Sequence, residues 1–78
     1  MFKEGEVIQT EAIQISLAAA RVNAGLTQDE VAERLKVSNK TVSNWEKGVA
    51  APSAATLYVL SVLYGIPADN IFLSKKST

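Results

Sequence analysis

Gly25, Gly48, Pro52, Gly65 and Pro67 punctuate this chain, and they decide most of what it can become. Glycine and proline are the residues that a helix interior tolerates least. Between these marks lie segments of helical length, rich in Ala, Leu, Val and Ile. No segment alternates apolar and polar residues over a useful length, apart from a weak "EVIQ" at residues 6–9 that suits a short strand or an arm. The pattern predicts an all-α chain of short helices joined by tight turns.

The first predicted helix begins near Thr10 or Glu11 and ends near Ala24, with Gly25 as its stop. Ile13, Leu17, Ala20 and Ala24 share one face, while Ile15, Ala18 and Val22 share the opposite one. The second face is more apolar than a solvated helix requires, so either the N-terminal segment or a partner covers it. Thr27, with Glu30 three residues on, forms a capping-box pattern that opens a second helix burying Val31, Ala32 and Leu35. Ser38 caps a third helix, and Ser53 caps a fourth that carries "AATLYVLSVLY" to Gly65. A short fifth helix follows Pro67, with Ile71, Phe72 and Leu73 as its apolar content. Residues 1–10 read as an arm and 74–78 as a frayed tail.

With 78 residues the chain makes a single domain, spanning 1–78, and its 47% hydrophobic content suits a folded globule. Cysteine and histidine are both absent, which excludes disulfides, thiolate nucleophiles, Cys/His zinc sites and imidazole chemistry. Glu30 and Glu33 lie one turn apart without a second acidic cluster to complete a metal site. Neither an enzyme nor a cofactor is expected. The N-terminus lacks the pattern of a signal peptide, and no apolar run approaches the ~20 residues of a membrane span, so a cytoplasmic protein with no membrane partner is expected.

Formal net charge is zero, but charge is unevenly placed. Residues 1–12 set Lys3 against Glu4, Glu6 and Glu11, whereas residues 34–47 set Arg34, Lys36, Lys40 and Lys47 against Glu46 alone. The basic stretch coincides with the most polar helix. Helix residues advance by about 100°, so with Asn39 at zero, Ser43 falls at about 40°, Lys47 at about 80°, Lys40 at about 100° and Asn44 at about 140°. Val42 and Trp45 fall on the other side, at about 300° and about 240°. A solvated face would carry Glu–Lys pairs and strong helix formers; this one carries Asn and Ser, which are mediocre in helix interiors. Asparagine offers the paired donor and acceptor that match the adenine edge, and lysine donates to guanine or to phosphate. The face reads as one made for the DNA major groove.

Residues 27–46, "TQDEVAERLKVSNKTVSNWE", resemble the helix-turn-helix of the lambdoid phage repressor and Cro family, the XRE-like regulators. The resemblance runs from about Leu17 to Leu73 and includes Gln28, the small Ala32 at the helix crossing, Val42, and the later "GIPADNIF". It implies a compact five-helix, lambda-repressor-like DNA-binding domain, bacterial or phage-encoded. It also implies that Gln28 meets DNA backbone or an outer base, that Asn39, Lys40 and Asn44 read base edges with Ser43 as a weaker reader, and that Thr41 and Lys47 hold phosphates. Arg21 and Glu46 match positions that pair as a shielded ion pair. Lys36 stands where the family most often has glycine, at a turn that needs a left-handed backbone.

The expected function is transcriptional regulation, as a repressor that binds a near-palindromic double-stranded operator as a homodimer. Tyr64, Ile66, Ile71, Phe72 and Leu73 are the expected dimer contacts, since they exceed what one small core can use. The competing expectation is an antitoxin-like or anti-repressor-like module with a protein partner.

Overall fold

The computed structural model describes residues 14–74, and among them a side-chain hydroxyl sets the start of each α-helix. Ser16, Thr27, Ser38 and Ser53 each accept a hydrogen bond from the backbone N–H three residues on, at 3.1 Å in all four cases. Each satisfies a donor that the first helical turn leaves without a partner. The helices so begun are α1 (Leu17–Asn23), α2 (Gln28–Leu35), α3 (Asn39–Lys47) and α4 (Ala54–Tyr64). At α2 the capping box is complete, because the Glu30 carboxylate accepts from the Thr27 N–H in return. Those bonds, with the Thr27 hydroxyl, hold the Glu30 carboxyl below its usual range.

Two helices end on glycine and one on lysine. Lys36 has φ 62° and ψ 41°, a left-handed conformation in which a side chain costs roughly 1–2 kcal/mol. The geometry is held because the Lys36 N–H reaches the carbonyls of Ala32 and Glu33, and the Val37 N–H returns to Ala32 at 3.0 Å. This closes α2 and turns the chain directly into the Ser38 cap of α3.

Both ends of the fold differ from the sequence expectation. The first helix starts at Leu17, because Ser16 caps there and β-branched Ile15 is extended; residues 10–13, where the start was expected, lie outside the described residues. Ile15 therefore belongs to a strand and not to a helix face. The fifth helix is replaced by a single 3₁₀ turn, Ala68–Asn70, followed by extended Ile71–Phe72. Ile15–Ser16 (β1) and Ile71–Phe72 (β2) pair in parallel, Ile15 with Ile71 and Ser16 with Phe72. Among the described residues the fold is thus four α-helices clasped by a two-residue parallel pair. The "EVIQ" segment and the predicted arm lie outside the described residues, as does all but Ser74 of the predicted tail.

The core is small and drawn from all four α-helices and β2: Leu17 and Ala20, Val31 and Ala32, Val42, Leu60 and Tyr64, and Ile71. Ile15, Leu26, Leu35, Val37, Trp45, Leu57, Leu63, Ile66 and Leu73 pack around it. Two of the residues expected at a dimer contact, Tyr64 and Ile71, are consumed here, at 5% and 7% exposure. The clasp explains this: pairing with β1 pulls Ile71 inward, and the long α4 lays Tyr64 over α1. Ile66 and Leu73 pack against the same core, so only Phe72 of that set stays exposed, at 44%.

One polar contact fixes the helix angles. Arg21 on α1 donates from Nε to Glu46 Oε2 at 2.7 Å and from Nη2 to Oε1 at 3.2 Å. Its Nη1 donates to the Leu26 carbonyl at 2.9 Å, and Gln28 Nε2 on α2 donates to Glu46 Oε1 at 2.9 Å. The two charged side chains are 15% and 7% exposed, so the pair sits largely out of water. Hydrogen bonding to Glu46 raises the already high pKa of Arg21. Tyr64 lies close enough to feel both charges, and burial above all pushes its hydroxyl up to about 12.

Two outcomes follow from this cluster. Arg21→Ala strands a shielded carboxylate, at a cost of about 3 kcal/mol, and lowers the melting temperature by on the order of 15 °C. A normal melting temperature in that variant would refute the structural role. For Tyr64, the folded chain keeps its proton up to about 12 while the unfolded chain releases it near the ordinary value of 10.0. The native state then binds more protons, so stability falls as pH rises through that window, by roughly 2 kcal/mol at the alkaline end. Tyr64→Phe removes this part of the loss, as denaturant titrations of both proteins across the window measure.

Candidate nucleic-acid interface

Helix α3 is held by one side. Val42 is 1% exposed, Trp45 packs on the core rim, and Glu46 is turned inward to Arg21. These residues occupy one arc of the helix, so the remaining arc faces outward. Asn39, Lys40 and Lys47 are exposed, and Thr41, Ser43 and Asn44 are half-buried. Thus the structure brings six of the seven expected contact residues onto one helix.

Their hydrogen bonds separate them into two groups. Lys40, Ser43, Asn44 and Lys47 have no side-chain partner among the described residues. Thr41 is engaged, its hydroxyl 2.9 Å from that of Ser38. Asn39 is engaged as well: its amide nitrogen donates to Asp29 Oδ1, on the first turn of α2, at 2.6 Å. The expected seventh residue, Gln28, stands at the start of α2 with its amide on Glu46. One N–H and the carbonyl of that amide remain for another contact.

Sequence reasoning missed Asp29. Helical periodicity relates residues within one helix, whereas Asp29 and Asn39 meet across the turn between two. The only signal was their spacing, with Asp29 opening one helix and Asn39 the next.

Electrostatically the face is basic by arrangement. Lys40 and Lys47 carry its charge, and the one acid of α3, Glu46, is neutralised from behind by Arg21. Arg34 and Lys36 are exposed at the end of α2. After Lys47 the chain turns on Gly48, at φ 81°, where a side chain would be strained. The Gly48 N–H bonds to the carbonyls of Asn44 and Trp45, and Val49 N–H reaches Asn44 at 2.9 Å. That turn ties down the Asn44 backbone while its side chain remains available. Among the described residues, no group of three His, Cys, Asp or Glu side chains could hold a metal ion, and no helix is long and apolar enough to cross a membrane.

Comparison with known proteins agrees with this geometry. A helix-turn-helix family model matches residues 17–71, from the first residue of α1 to the first of β2. The HTH-type transcriptional regulator ImmR of Bacillus subtilis (strain 168) is 40% identical over 65 residues, which cover 78% of this chain and 51% of ImmR. The HTH-type transcriptional activator BcrR of Enterococcus faecalis is 33% identical over 55 residues, covering 70% of this chain and 27% of BcrR. The chain spans about half the length of the first relative and about a quarter of the second. With its capped helices, its left-handed turn at Lys36 and its outward polar helix, the chain belongs to the XRE-type helix-turn-helix family.

Proposed function

We propose that this protein is a sequence-specific, double-stranded DNA-binding transcriptional regulator that inserts α3 into the major groove. The observation that carries this reading is the set of Lys40, Ser43, Asn44 and Lys47, side by side on a helix anchored from behind and without partners among the described residues. Polar side chains of mediocre helix propensity, left unpaired on an ordered helix, gain a role only from a ligand. Asn39, Lys40 and Asn44 read base edges, with Ser43 in support. Lys47, Thr41 and the start of α2 at Gln28 position the backbone.

A single helix with about three base contacts discriminates poorly among genomic sites. The reading therefore includes a homodimer on a near-palindromic operator, with recognition helices about 34 Å apart. Since Tyr64 and Ile71 lie in the core, the apolar groups toward the C-terminal end that are left for a second copy include Phe72 and the exposed Tyr58, Val59 and Val62 of α4. Repression follows if the operator overlaps a promoter and the bound dimer excludes polymerase. A second reading, a protein-binding module of antitoxin or anti-repressor type, draws support from the same α4 face. There a groove of about 360 Å³ lies between Arg34, Leu35 and Tyr58, Val59, Val62, Leu63.

Selection of bound duplexes from a random pool tests the main reading, which requires an enriched palindromic motif; no enrichment together with a stable protein partner would support the module instead. Lys40→Ala or Asn44→Ala relaxes preference at particular bases. By contrast, Lys47→Ala weakens all sequences alike and flattens the salt dependence by about one unit of slope. Uniform weakening by all three variants would show that the base readers are misassigned. Sedimentation on operator DNA gives a two-to-one complex, and a monomer both free and bound removes the dimer.

A further inference from the structure

We infer that Asp29, a positioning residue on α2, fixes which bases Asn39 can select. The inference deepens the proposed DNA-binding role and rests on it. Asn39 is the first residue of α3, and Asp29 stands on the first turn of α2, ten positions earlier, with 2.6 Å between the Asn39 amide nitrogen and Asp29 Oδ1. Both residues are exposed.

The consequence comes from the donor and acceptor inventory. An asparagine amide carries two N–H donors on one branch and an acceptor oxygen on the other, and it can turn over to exchange them. Without a neighbour that distinguishes the branches, such a side chain adapts to whichever base edge it meets. An ionised carboxylate accepts and never donates. Asp29 therefore holds the nitrogen branch toward α2 and leaves the Asn39 carbonyl, with one N–H, directed away from it.

A carbonyl so presented needs a donor on the DNA. In the major groove adenine offers its N6 amine and cytosine its N4 amine, whereas guanine and thymine offer only acceptors, O6 and N7 or O4. The remaining Asn39 N–H can reach adenine N7 at the same time. Adenine is thus the favoured base, cytosine is second, and guanine and thymine are disfavoured because the Asn39 carbonyl would face an acceptor there and only its one free N–H could bond. The carboxylate acts through Asn39 and touches no base.

A competing account makes Asp29 only a favourable charge at the N-terminus of α2. The two accounts differ in what they move. A charge at a helix end changes thermal stability and affinity for all sequences; an amide lock changes preference at one position.

The experiment selects bound duplexes from a random pool with the full chain and with Asp29→Ala, Asp29→Asn and Asn39→Ala, each checked by thermal melting. Wild type enriches adenine or cytosine at the position that Asn39→Ala renders indifferent. Asp29→Ala and Asp29→Asn leave the rest of the motif intact and admit guanine and thymine there, a loss of about tenfold in preference. The free protein supplies a second readout: the Asn39 side-chain amide proton shows a hydrogen-bonded chemical shift that Asp29→Ala abolishes. Unchanged preference at that position in both Asp29 variants, or unchanged amide shifts, overturns the inference while leaving the DNA-binding role intact. Absence of any motif with wild type overturns that role itself.

Discussion

The guanidinium of Arg21 and the carboxylate of Glu46 meet between α1 and α3 with little water around them, and the placement of the outward face of α3 depends on that contact. Two parallel hydrogen bonds define a plane, which a single point contact cannot do. The Leu26 carbonyl adds the loop before α2, and Gln28 adds α2 itself. Three helices and a loop are thereby referred to one carboxylate. The apolar core is less directional, because on α2 and α3 it consists of small or medium side chains (Val31, Ala32, Val42). Shielded ion pairs contribute little net stability compared with well-packed apolar residues. What this one contributes is an angle, and it converts a basic helix into one whose only acid is out of the way.

Much of this was legible in the sequence wherever the signal was local. Thr27, Ser38 and Ser53 cap the helices expected of them, because a hydroxyl three residues before a free N–H needs no tertiary context. The left-handed turn at Lys36 was legible only through the family resemblance, since lysine itself gives no hint of positive φ. The two sides of α3 followed from the helical repeat alone, with Val42 going inward and Asn39, Lys40 and Lys47 outward.

What was not legible depended on partners distant in the chain. Apolar periodicity ran on through Ile15, and nothing nearby said that Ile71, 56 residues later, would pair with it. For the same reason Ile71 and Tyr64 looked surplus to a small core, although the clasp brings Ile71 inside and α4 carries Tyr64 into the core. Asp29 looked like an ordinary first-turn acid, favourable to its own helix. Its bond to Asn39 exists because the turn at Lys36 folds the start of α3 back toward the start of α2, a fact of tertiary geometry that no single-helix pattern contains.

The balance of charge gives these geometric constraints their weight. A strongly basic domain binds DNA by counterion release almost whatever the angle of its helix, and sequence preference is a correction to that large term. Here the formal net charge is zero, and Asp29, Glu30 and Glu33 lie on α2, the helix before α3. Long-range attraction is therefore weak, and affinity has to come from contacts made at correct distances. Such contacts are lost by displacements of about 1 Å, since hydrogen bonds decline steeply outside their normal range. On the proposed function, a weakly charged reader of this kind depends on a rigid mount more than a basic one does. The shielded pair behind α3, the strained but well-bonded turn before it and the glycine turn after it together supply that mount.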